Sequence, residues 1–99
     1  MNRREHLLTI LAEECAEVAQ RVSKALRFGI DEVEPGQPST NGARVTLEIL
    51  DLLVVNEMLA ETESLAPITE NAVSRHANAK RGKIEKYLAY SKERGTLTE

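Results

Sequence analysis

A chain that sets carboxylates inside an apolar helix must supply something to neutralise them, and residues 47–60, LEILDLLVVNEMLA, set that requirement twice. Ten of the fourteen residues are apolar, yet Glu48 and Asp51 interrupt the run. At about 100° per residue, Ile49, Leu50, Leu52, Leu53, Val54, Val55 and Leu59 surround the whole helix, the pattern of a buried one. Glu48 and Asp51 stand three apart and share a face with Leu47, Val55 and Met58. An isolated ionised carboxylate is costly to bury, so this pair calls for protons, cations or a metal ion.

The first segment supplies more acid rather than base. From Arg3 to Arg27 the apolar residues Leu7, Leu8, Leu11, Cys15, Val18, Val22 and Leu26 recur at steps of three and four, which predicts a long amphipathic helix. Cys15 is expected in its core, and Gly29 is expected to stop it. Glu14 and Glu17, again three apart, flank the stripe, while Glu13 points further toward solvent. Residues 28–42, FGIDEVEPGQPSTNG, carry two prolines, three glycines and no period, and read as a long loop. Thr40 or Asn41 is placed to cap the next helix, Ala43 to Thr62. ESLAPIT is a connection, with a new helix start near Pro67. A further helical pattern follows from Ile68 to Arg81, Gly82 interrupts it, and Lys83 to Arg94 resumes it until Gly95. One kinked helix and two helices both fit that pattern. His76 falls on the predicted packing face. No alternating strand pattern and no repeat appears.

These elements predict one all-α domain over residues 1–99, an antiparallel bundle of about four helices completed by oligomerisation. The motive for an oligomer is the second helix, whose all-round apolar surface needs more cover than 99 residues provide.

Composition narrows the function classes. Aromatic residues are 3% of the chain and Trp is absent, which argues against stacking on single-stranded nucleic acid. The net charge of −3 gives no overall attraction to DNA or RNA. Charge is unevenly placed: residues 75–94 carry a net +5 and residues 1–74 a net −7. No run reaches the roughly 18 apolar residues of a membrane span, and the charged N-terminal sequence does not read as a signal peptide. The one cysteine fits a reducing cytoplasm.

Packing the first helix on the second brings Glu14, Glu17, Glu48 and Asp51 into one cluster that repels itself unless cations fill it. An all-oxygen set suits Mg²⁺ or Mn²⁺ and substrates bearing phosphates. Di-iron bundles use Glu-x-x-His pairs instead, and neither pair here contains His.

Glu13-Glu14-x-x-Glu17, a spacer of thirty residues, then Glu48-x-x-Asp51 resembles the EExxE…ExxD signature of the all-α nucleoside triphosphate pyrophosphohydrolases, in particular the small MazG-like proteins. The likeness covers residues 5–60 and, more loosely, 68–90; Leu47 stands where many members carry another acid. The resemblance implies cleavage of a nucleotide between its α and β phosphates, giving a monophosphate and pyrophosphate. It further implies Mg²⁺ on Glu14, Glu17, Glu48 and Asp51, with Glu17 or Glu14 accepting a proton from water. Lys80 and Lys83 in the basic segment would then meet the β and γ phosphates, and the subunits would form a dimer or a tetramer of dimers. The rival reading is a noncatalytic helical adaptor or oligomeric interaction protein with a vestigial acid cluster.

Overall fold

The first helix, α1, spans Arg3–Phe28 in a computed structural model that describes residues 1–99. Asn2 caps it, its side-chain oxygen accepting from the Glu5 amide at 2.9 Å. Gly29 ends it at φ 107°, with its amide donating to Ala25. The second helix, α2, spans Asn41–Glu61, and the third, α3, spans Glu70–Glu93. No strand occurs in the chain, so the all-helical reading holds with three helices. No helix is long and apolar enough to cross a membrane. The chain divides into two compact units, Met1–Pro67 and Ile68–Glu99.

In the first unit α1 and α2 pack as an antiparallel pair around Leu7, Val55 and Leu59, with Leu11, Met58 and Leu65 against them. Along α1 one row of covered residues is Leu7, Leu11, Glu14, Val18, Arg21 and Ala25, with Lys24 partly covered beside it. Along α2 the matching row is Asn41, Val45, Glu48, Leu52, Val55 and Leu59, with Arg44, Asn56, Met58 and Ala60 partly covered beside it. Both rows step alternately by three and four residues, the seam of two helices lying side by side. The seam on α1 is rotated away from the stripe that apolar spacing alone suggests. Leu8, Val22 and Leu26 lie outside it and are exposed, and so is Cys15, which is not a core residue. Glu14 takes the middle of the seam instead of its edge.

Expected burial of α2 on all sides does not occur within the first unit. Leu47, Leu50 and Val54 on its outer face are 54%, 50% and 53% exposed. One neighbouring helix covers one side of a cylinder, and that side is the Glu48 side.

The connection between α1 and α2 is folded tightly onto the start of α2. Thr40, not Asn41, is the cap, accepting from the Ala43 amide at 3.1 Å. Asn41 is buried and otherwise engaged: its side-chain amide donates to Gly29 O at 2.8 Å and to Glu32 Oε1 at 3.2 Å. Gly42 donates its amide to Ile30 O at 2.8 Å, and a Cβ there would lie 2.8 Å from Ile30 Cγ1. Only glycine permits that approach. Loop residues 29–40 are therefore held at both ends.

α2 ends with Glu63 at φ 58°, where Ser64 N–H donates to Leu59 O and Glu63 N–H to Ala60 O. This pair of bonds normally closes over glycine. Because Glu63 is exposed and its side chain makes no hydrogen bond or ion pair, Glu63→Gly should raise stability. The expected gain in urea unfolding is about 0.5–1 kcal/mol, the left-handed strain less the added freedom of the unfolded chain. An unchanged or lower midpoint would show that the turn is not strained.

In the second unit Thr69 caps α3, accepting from Ala72 N–H at 3.0 Å, which sets the start two residues beyond Ile68. α3 runs without a break through Gly82, so the segment 68–94 holds one helix and not two. Its end repeats the bonding of α2, with Gly95 at φ 82° and bonds from Thr96 to Ser91 and from Gly95 to Lys92. No residue of α3 is buried, and His76, expected on a packing face, is exposed.

Candidate metal centre

The seam carries the site because two of its core positions are acids. Glu14 on α1 sits between Leu11 and Val18, and Glu48 on α2 sits between Val45 and Leu52, so the antiparallel pairing faces them toward each other. Glu17, one turn along α1, is exposed and reaches in from the rim. One carboxylate oxygen from each of Glu14, Glu17 and Glu48 lies within 4.8 Å of the others. Glu14 Oε2 and Glu48 Oε2 are shielded from solvent and have no hydrogen-bond partner. Such orphaned acceptors are uncommon in folded chains.

Electrostatics follow from that crowding. Burial pushes the Glu48 carboxyl above its ordinary value, and Glu17 adds to the rise through its charge and a hydrogen-bonding contact. Asp51 raises it further, and Arg21 opposes. The Arg21 Nε to Glu48 Oε1 separation is 3.9 Å, at the edge of an ion pair and too long for a hydrogen bond.

Asp51 is exposed, one turn along α2, and acts on Glu48 by its charge without joining the group of three. Glu13 is exposed and stands outside the group. Lys80 and Lys83 are exposed on α3, within the second unit.

Spacing along the same faces leads to three cations that the motif reading passed over. Arg21 follows Glu17 by four residues, Lys24 follows Arg21 by three, and Arg44 precedes Glu48 by four. Each is half-buried, and all three act on the carboxyl of Glu34 from the loop. Glu34 forms a hydrogen-bonded ion pair with Arg44, which holds its carboxyl below the ordinary value. A groove of about 230 Å³ adjoins them, lined by Lys24, Phe28, Glu32, Glu34, Pro35 and Asn41. Continuing the i, i+3, i+4 pattern from each acid pair would have found the cations.

Chemically, Glu14, Glu17 and Glu48 form an all-oxygen donor set, with two acceptors unused by the protein. That set fits a hard divalent cation that keeps some of its waters. No protein-family model matches this chain, and no curated protein or solved structure matches it.

Proposed function

We propose that this protein is a Mg²⁺-dependent nucleotide pyrophosphohydrolase of the MazG-like kind, cleaving a nucleoside or deoxynucleoside triphosphate to its monophosphate and pyrophosphate. The observation that carries the reading is the trio of carboxylates on two facing helices, two of them with solvent-shielded oxygens that nothing in the chain satisfies. Glu14, Glu17 and Glu48 would hold the cation, Mg²⁺ or Mn²⁺, and Asp51 at the open edge would complete the set. The chemistry such a cation supplies is neutralisation of phosphate oxygens and activation of a water. Glu17 or Glu14 would accept that water's proton, and the exposure of Glu17 favours it. Nothing in this chemistry needs a Ser or Cys nucleophile, because charge neutralisation and positioning carry it.

The exposed outer face of α2, with Leu47, Leu50 and Val54, supports an oligomer in which two helix pairs complete a four-helix bundle. The reading takes the form of a cytoplasmic dimer, or a tetramer of dimers.

A panel of nucleoside and deoxynucleoside triphosphates tests the reaction, with Mg²⁺, with Mn²⁺ and with chelator. Metal-dependent release of pyrophosphate together with the matching monophosphate is the expected result. Silence across the panel would favour the noncatalytic adaptor.

A further inference from the structure

The carboxylate trio is followed, one helical turn toward the loop, by cations that no part of the metal chemistry uses. On α1 the order along one face is Glu14, Glu17, Arg21, Lys24 and Phe28; on α2, reading back from the acids, it is Glu48 and then Arg44. One turn is about 5.4 Å, so a polyanion held at the acids through a cation extends directly over the basic group. Arg21 and Arg44 have side chains only 20% and 13% exposed, which is low for free surface arginines. Their partners are carboxylates of this same chain. Arg21 has Glu48 at 3.9 Å, and Arg44 has Glu34, a half-exposed residue in the 29–40 connection.

We propose that Arg21, Lys24 and Arg44 form a seat for the polyphosphate tail of an anionic substrate, and that Glu34 occupies this seat as an internal anion until the substrate displaces it. The carboxylate of Glu34 stands in for a phosphate: it accepts from Arg44 Nη1 and lies within the field of two further cations. Displacement is structurally inexpensive. The connection is anchored elsewhere, through Asn41 to Gly29 and Glu32 and through Gly42 to Ile30, so Glu34 can leave without unfolding its loop. The adjoining groove, with Phe28 and Pro35 on its wall and Lys24 at its rim, gives the released carboxylate or the rest of the ligand a place to lie. The inference deepens the hydrolase reading by locating the tail of its substrate on α1 and α2, but the seat itself is defined by charge and not by turnover.

The test is calorimetric titration of the full chain with sodium tripolyphosphate in chelator at low ionic strength, where hydrolysis and metal play no part. Saturable binding is expected, tightened several-fold by Glu34→Gln and weakened about tenfold or more by Arg44→Gln. Lys24→Gln, at a half-buried position remote from the apolar core, should weaken binding as well and covers the case in which the Arg44 variant does not fold. Weaker or unchanged binding in Glu34→Gln would overturn the proposal. So would binding that survives Arg44→Gln and Lys24→Gln but is lost in the Lys80→Gln/Lys83→Gln double variant, which would place the anion on α3. A protein that binds tripolyphosphate as described yet hydrolyses no nucleotide would keep the seat and refute the hydrolase alone.

Discussion

Glu48→Gln is expected to lower Mg²⁺-dependent pyrophosphate release by about 100-fold or more, while leaving the helices intact and the metal-free protein more resistant to heat. On the proposed metal reading the first effect follows from removing an anionic ligand at the centre of the donor set, where even supporting residues typically matter 10- to 100-fold. The second follows from relieving a seam in which Glu48 faces Glu14 and Glu17 with an oxygen that nothing satisfies. The amide is neutral, nearly isosteric and able to donate to either neighbour. A structural role for Glu48 predicts the opposite pair of results: a lower melting temperature and unchanged activity per folded molecule. Circular dichroism melts with chelator, read beside the turnover of the same samples, separate the two accounts.

A second large effect should appear when stability is followed against pH with and without metal. Glu48 has a raised carboxyl pKa in the folded state, so the folded chain binds the proton more tightly than the unfolded chain does. Its contribution to stability is therefore fully present below the ordinary value of 4.5 and is lost as pH rises through the raised value. In chelator, the first unit should gain stability on acidification from neutrality down to that value. Below it Glu34 acts in the reverse sense, since its ion pair with Arg44 is lost on protonation. Saturating Mg²⁺ should cancel the trend, because the ligands must be deprotonated to bind. At a metal concentration about 100 times the dissociation constant the gain at pH 7 is about 2.7 kcal/mol. Urea unfolding at pH 5 and pH 7 measures both. Identical slopes with metal and chelator would remove the carboxylates from any metal site.

The helices were legible in the sequence because periodicity and caps act locally. Thr40, Gly29 and Gly95 do at their positions what their chemistry suggests. Asn41 was a second candidate cap, and its burial under the connection, which depends on Gly29 and Glu32 folding back, is a tertiary fact that no local pattern contains. Gly82 looked like a break and is not one. A helix tolerates glycine at a modest cost, and this glycine is met by nothing that a side chain would touch.

The acids were legible as pairs, and the structure brings Glu14, Glu17 and Glu48 together. What the spacing misjudged was the direction of the seam on α1. Counting apolar residues weights Leu8, Cys15, Val22 and Leu26 equally with Leu7 and Leu11, although only one side of α1 meets α2. Glu14 and Arg21 occupy that side, so polar residues mark the contact face here, and a hydrophobic wheel turns away from them. The same error hid Arg21 and Arg44, which lie one turn beyond the acids on the faces that matter.

The central claim is that the three glutamates are a metal site, and titration of Mg²⁺ and Mn²⁺ into the metal-free protein by calorimetry tests it without reference to any substrate. The account predicts saturable binding by the parent chain that disappears in Glu48→Gln and releases protons as ligands are deprotonated. Absence of saturable binding, or equal binding by the Glu48→Gln variant, would contradict it.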